Sequence, residues 1–258
     1  MVGLQVKDAI AELESGYLAP SCEAEGTVRS ALFHPDGYSL WELEAELAAG
    51  SELRWGADHG DEVVFVLDGE LELDGTVCDP QTAVIVEAGV SATARAVSDA
   101  RVLHFGPAAT DAPVDGLLGP ALDDGRQVHL VGRGDAPEVG SGDGPGAVYY
   151  ADSSCPTCRI AFFEVHCGTP HIISSHTHSQ DEIIRVMSGE LRVGRVTVSA
   201  GMSIAVPGEL RYGFRTPGPY SFLNYRRDAS LYVGAPGSTP IVEGAEASRQ
   251  MASGQELG

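Results

Sequence analysis

Lysine is almost missing from this chain. Lys7 stands alone among 258 residues, against fifteen arginines, and the 16 basic side chains face 37 acidic ones for a formal net charge of −21. A field of that sign repels nucleic acid and anionic membranes, so no partner of either kind is expected. No apolar run approaches the roughly 18 residues that a membrane helix needs. The N-terminus lacks a basic region followed by an apolar stretch, so no signal peptide is expected and the default is a soluble, cytoplasmic protein. Aromatic residues make up only 7% of the chain, and its five cysteines (22, 78, 155, 158 and 167) are too few and too scattered for a secreted disulfide scaffold.

What is abundant points to β structure. The chain holds 32 glycines and 15 prolines beside an apolar content of 43%. That suffices for a core and favours many short strands and turns over long helices. The length allows one large domain or two of ordinary size. Charge is uneven along it: residues 159–227 carry eight arginines and five acids, whereas the flanking stretches are acidic. These arginines either serve an anionic ligand or lie on outer faces of the fold.

The densest pattern runs from His176 to Gly189. His176 and His178 are two apart, and on an extended strand such residues point to one face. Glu182 follows after a short turn and opens the apolar run Ile183, Ile184, Val186 and Met187, and Gly189 begins the next turn. Two imidazoles and a carboxylate converging on one point suit a first-row divalent metal such as iron, manganese, nickel or zinc.

The chain also aligns with itself at an offset of 120. Residues 61–71 fall on 181–191 with six identities, and 102–105 fall on 222–225. A repeat of this length implies two copies of one domain. In the first copy Gly56 and Asp58 take the places of His176 and His178, Glu62 that of Glu182, and His59 lies one residue off register.

The run His176–Gly189 resembles the first signature of the cupin superfamily: HxH, three residues, E, six residues, G. The glycine usually found six residues before the first histidine is replaced by Pro170. The second signature is partly met by Gly201 and Pro207, with its next glycine displaced to Gly208 and Tyr212 where a third histidine is usual. In the first copy those positions hold Gln81, Glu87 and Ala92. The resemblance implies an all-β bicupin, with two tandem jelly-roll barrels, the first having lost its metal. A site from Asp58, His59 and Glu62 stays open. In the second barrel His176, His178 and Glu182 would hold a divalent metal, iron first and manganese, nickel or zinc as alternatives. Tyr212 would be a further ligand, a hydrogen-bond donor near the metal, or a wall.

The expected layout is an N-terminal barrel over 1–106, a linker with one added strand (127–131) over 107–146, a C-terminal barrel over 147–234 and a tail over 235–258. Residues 4–15 show a rough helical spacing of Leu4, Ala9, Ile10 and Leu13 ended by Gly16, which predicts a short N-terminal helix. A second, frayed helix is expected near 243–251. Strands are expected near 39–47, 63–67, 70–73, 83–87 and 101–105. In the second copy they are expected near 159–166, 172–178, 182–187, 190–198, 203–206, 210–215 and 220–226.

Further candidates surround the motif. His171 is either a general base or spare ligand at the barrel mouth or a surface histidine; by parity an uninterrupted strand turns it outward. Asn224 and Arg226, on a late strand, are candidates for binding substrate. Cys155 and Cys158 form a lone CxxC, read as reduced thiols in a turn, with a redox pair or half a zinc site as the alternatives. The resemblance implies a metal-dependent enzyme on a small organic molecule, anionic ones included, most like the quercetin-type dioxygenases. A non-oxidative lyase, isomerase or cyclase and a non-catalytic sensor are the alternatives. A homodimer is the family expectation.

Overall fold

In the computed structural model, which describes residues 4–7, 12–109, 117–140, 144–234 and 239–244, every regular element is a β-strand. Strand Glu62–Asp68 shows why. Its Val64 and Val66 pack into the interior of the first half, while Val63 and Phe65 alternate onto the other face. A strand buried on both faces needs an unbroken apolar run, and this segment supplies one. Leu40–Leu47 works the same way: Trp41, Leu43, Ala45 and Leu47 point inward, and Leu40 lies on the opposite face.

The first half pairs a seven-stranded sheet with a five-stranded one. The larger runs Val128–Gly132, Thr82–Val86, Glu62–Asp68, Ala100–Pro107, Leu40–Leu47, Val28–Phe33, Glu14–Ser15. The second half repeats that order as Gln5–Lys7, Ser203–Val206, Glu182–Ser188, Tyr220–Arg226, Ala161–Cys167, Gly146–Asp152, Glu138–Val139. Its smaller sheet has six strands and includes His171–His178 beside Tyr212–Thr216. The repeat extends to the turns. Gly69 and Gly189 both have φ of 73°, and a Cβ on either would meet a carbonyl oxygen, of Asp99 at 2.1 Å or of Pro219 at 2.2 Å.

The N-terminal helix is not formed. Gln5–Lys7 is a strand paired with Ser203–Ala205, and Glu14–Ser15 is another, while residues 8–11 lie outside the described ones. The open edge of the second half's large sheet offers backbone partners to an extended segment, and that pairing outweighs a weak helical spacing. The helix expected near 243–251 falls largely outside the described residues; just before it Ile241–Val242 pairs with Leu231–Tyr232. The strand expected over 190–198 is two strands, Glu190–Val193 and Val196–Ser199, joined at Gly194.

The outer faces of the two large sheets share a core. Phe65, Leu103 and Phe105 of the first half pack with Phe162, Ile183 and Tyr225 of the second. The rings of Phe105 and Tyr225 stack at 5.6 Å.

Candidate functional site

The strand carrying the two histidines is irregular, and that irregularity sets which side chains meet. His171 pairs with Thr216 and Ile173 with Phe214, but His176 pairs with Tyr212. Three steps on one strand oppose two on the other, which is a β-bulge. Parity flips there, so Ile173, His176 and His178 all line one cavity. Gly213 makes room, since a Cβ on it would lie 2.8 Å from the Ile173 carbonyl oxygen. His171 falls at the far end of the strand, half-buried, and is not among the residues lining the cavity. The bulge interrupts the strand, so parity counted from His176 does not carry over to His171.

Glu182 is the hub. It is fully buried at the start of Glu182–Ser188. Tyr212 donates its hydroxyl to Oε1. Oε2 accepts from Asn224 Nδ2 (2.7 Å), Arg226 Nε (3.0 Å) and Arg226 Nη2 (2.7 Å). The Tyr38 hydroxyl of the first half lies 2.8 Å from the carbonyls of both Glu182 and Val206 and accepts from the Glu182 N–H at 3.0 Å, which fixes the strand start. Arg226 also pairs with Glu243 through Nη1 and lies over the Phe163 ring. Two carboxylates therefore neutralise this fully buried guanidinium.

His176 is oriented through its Nδ1 atom, and His178 turns its Nδ1 toward a carboxylate. His176 Nδ1 is 2.7 Å from the Ser174 carbonyl oxygen, and its ring stacks on Tyr232. His178 Nδ1 lies 2.7 Å from Glu243 Oε2, close but without the alignment of a good hydrogen bond. Its Nε2 is 3.8 Å from Glu182 Oε1 and 3.4 Å from Arg226 Nη2. Since a guanidinium can only donate, that Nε2 presents a lone pair. Sequence reasoning missed Glu243, which sits 61 residues beyond Glu182 in what reads as a polar tail. No local pattern marks it.

Burial raises the Glu182 carboxyl, but His178, Arg226 and the hydrogen bonds outweigh it and hold the group down at about 2. Burial lowers His176, which favours the neutral imidazole that a metal requires. Burial, and then the charge of Glu182, push the Tyr212 phenol far up, so it carries its proton. Tyr212 thus meets the Glu182 carboxylate as a neutral donor.

The cavity measures about 480 Å³, within the range of small-molecule sites. Beyond its polar wall it is apolar, with Val139, Phe163, Phe214 and Phe222 among its lining. Asn224 Oδ1 is buried there without a hydrogen-bond partner. His176, His178 and Glu182 offer a divalent cation two imidazoles and a carboxylate, with His178 Nε2 3.8 Å from Glu182 Oε1. Their donor atoms do not all lie within 4.8 Å of one another, so a cation would have to draw them together. Glu182, Glu243 and Arg226 together carry one net negative charge. A divalent ion has to share Glu182 and His178 with Arg226.

The corresponding place in the first half is closed. Glu62 accepts from Ser21, from Trp55 Nε1 (2.8 Å) and from His104 Nε2 (2.8 Å), and Tyr17 holds His104 Nδ1 at 2.7 Å. Asp58 is exposed, and both ring nitrogens of His59 lie on backbone carbonyls, of Gly60 and Val90. These three residues do not gather into a site.

No family model and no curated protein matches the chain. Solved structures do. A Pseudomonas aeruginosa protein named as glyoxylate-induced is 17% identical, with a TM-score of 0.66 over 87% of this chain and 89% of that one. The E. coli protein Ylba is 11% identical, with a TM-score of 0.64 over 87% and 90%. A variant of the Bacillus subtilis oxalate decarboxylase OxdC is 14% identical, with a TM-score of 0.63 over 91% and 80%. At these identities the likeness establishes the fold.

Proposed function

We propose that this chain, whose fold is that of the cupins, is a divalent-metal-dependent enzyme acting on a small organic molecule in the cavity of its second half. One observation carries the reading. His176, held through Nδ1 by the Ser174 carbonyl, and His178 line the wall of one apolar cavity, and His178 Nε2 lies 3.8 Å from Glu182 Oε1. His176, His178 and Glu182 would hold the metal, with iron as the first candidate. When bound, it supplies a Lewis acid that polarises a carbonyl or, as iron, supports reaction with oxygen. The apolar walls exclude water and strengthen every charge interaction inside. Asn224 Oδ1 accepts a hydrogen bond from a substrate donor. Arg226 holds Glu182 ionised, and Tyr212 keeps a proton on its hydroxyl beside Glu182 Oε1.

We take a dioxygenase-type oxidation as the first reading of the reaction. A non-oxidative lyase or isomerase is the second, favoured by the Tyr212–Glu182–Arg226 chain, which can hold a proton beside the cavity. The test is elemental analysis of protein prepared without oxygen and supplied with iron(II), manganese, nickel or zinc, beside His176→Ala. One metal per chain that His176→Ala abolishes is the expected result, followed by oxygen uptake with a panel of small hydroxy and keto acids. Turnover without oxygen consumption selects the second reading. Absence of any His176-dependent metal overturns the proposal.

A further inference from the structure

A second group of metal-binding side chains lies away from the cavity, and none of its members lines it. Glu87 follows strand Thr82–Val86 of the first half. His129 lies on the added strand Val128–Gly132, opposite Ile85. Cys155 and Cys158 lie in the loop between Gly146–Asp152 and Ala161–Cys167 of the second half. The donor atoms of all four residues lie within 4.8 Å of one another. We propose that Glu87, His129, Cys155 and Cys158 bind one zinc ion that clamps the two halves of the molecule together.

The donor chemistry is that of zinc. Two thiolates, one imidazole and one carboxylate make a tetrahedral set in which the soft sulfurs select zinc over the harder divalent ions. A CxxC alone supplies only half of such a site. The fold completes it with residues 26 and 68 positions before Cys155 in the chain.

Glu87 is fully buried, and among the described residues its ion-pair partner is the His129 ring. Its Oε1 faces three donors: His129 Nε2 and Thr157 Oγ1 at 2.7 Å each, and Cys155 Sγ at 3.4 Å. Oε2 takes the Gln127 N–H at 2.9 Å. Protons thus hold the cage together where a cation would. Both cysteines are free thiols, Cys158 buried and Cys155 partly so. The half-exposed His129 leaves a way in from solvent.

Zinc–sulfur bonds of about 2.3 Å and zinc–nitrogen bonds of about 2.0 Å put tetrahedral ligands about 3.3–3.8 Å apart, so the widest pairs close up and the 2.7 Å Glu87–His129 pair opens as zinc enters. Binding releases the two thiol protons to solvent, moves the His129 ring proton from Nε2 to Nδ1 so that Nε2 offers a lone pair, and changes no oxidation state. The repeat has no counterpart to this group, since Pro207 stands where Glu87 would recur.

The test uses the full chain in reductant, loaded with zinc(II) or cobalt(II) and freed of excess. Zinc is counted in wild type, His176→Ala, Cys158→Ser and His129→Gln. The expected result is one zinc per chain that survives His176→Ala and is lost in Cys158→Ser and His129→Gln. Cobalt should give a thiolate-to-metal charge-transfer absorption in wild type and His176→Ala, absent from Cys158→Ser. Chelation should lower the melting temperature of His176→Ala and not that of the double variant His176→Ala/Cys158→Ser. The His176→Ala arm separates this site from the cavity, so failure of one proposal leaves the other standing. Should Cys158→Ser not fold, the cobalt spectrum of wild type decides alone. A cobalt spectrum without thiolate absorption overturns the proposal. So does a zinc count that depends only on His176, or a Cys155–Cys158 disulfide that forms in zinc-replete protein once reductant is removed.

Discussion

Tyr212 stands where the second cupin signature leads one to look for a third histidine, and its hydroxyl ends on Glu182 Oε1. This contact supports the donor role among the three open to it in the sequence. A wall would make no polar contact, and a phenolate would not donate. Tyr212→Phe removes the donor and leaves Glu182 Oε1 buried without it, while Asn224 and Arg226 still satisfy Oε2. Leaving a buried acceptor unpaired costs about 1–3 kcal/mol. Urea denaturation of Tyr212→Phe is therefore expected to show a loss of that size, with the metal content of the second half unchanged. Loss of metal in that variant would make the tyrosine a ligand after all. His176, His178 and Glu182 were readable because they lie within seven residues of one another on two consecutive strands. Arg226 and Glu243 were harder, because they reach Glu182 from 44 and 61 residues away, and only closure of the barrel brings them there.

Strands were legible wherever burial imposed alternation or an unbroken apolar run, as in Glu62–Asp68 and its copy Glu182–Ser188. The bulge between Ile173 and His176 was not, because the extra residue is announced only by its partner strand. The N-terminal segment was misread for a related reason: Gln5–Lys7 finds its structure against Ser203–Ala205, almost two hundred residues on. Gly213 shows what the bulge depends on. In Gly213→Ala the new methyl would meet the Ile173 carbonyl at 2.8 Å and the Ser175 nitrogen at 3.0 Å, both backbone atoms that yield only if the strands part. Overpacking of this kind costs about 1–3 kcal/mol. The expected outcome is a lower urea midpoint together with weakened metal retention, because His176 shifts with the bulge. Gly189→Ala strains a turn outside the cavity, where φ of 73° and the Pro219 carbonyl exclude a side chain. It should lose stability and keep the metal. Equal metal loss in both variants would mean that general destabilisation, and not the bulge, governs the site.

The two halves are joined by charge as well as by apolar packing. Arg185 occupies the position of Phe65 in the repeat, on the face turned to the other half, and it is buried there. It reaches Glu42 at 3.2 Å and Glu44 at 2.6 Å, and Arg101 binds the other oxygen of Glu44. Of the eight arginines over residues 159–227, Arg185 ties the halves and Arg226 serves the cavity, while Arg192, Arg195, Arg211 and Arg215 lie exposed on outer faces. Because the shared core takes residues from both halves, chemical unfolding of the whole chain is expected in one transition. Burial alone would raise the Glu44 carboxyl, but Arg185 and then Arg101 overcome it and hold the group below its ordinary 4.5. A carboxyl depressed in the folded state adds stability above its unfolded value, and that stability drains away as pH falls through the folded value. The wild-type urea midpoint should therefore hold steady at neutral pH and begin to fall near pH 4.5. In Arg185→Met the two buried carboxylates lose their shared cation. Breaking a buried pair from one side costs about 3–5 kcal/mol, so this variant should be much weaker at pH 7. With its main depressant gone, Glu44 should titrate higher, and part of that deficit should be recovered on acidification as Glu44 protonates. A difference between wild type and Arg185→Met that stays constant from pH 7 to pH 4 would show that the pair contributes packing alone and that the apolar core holds the halves together.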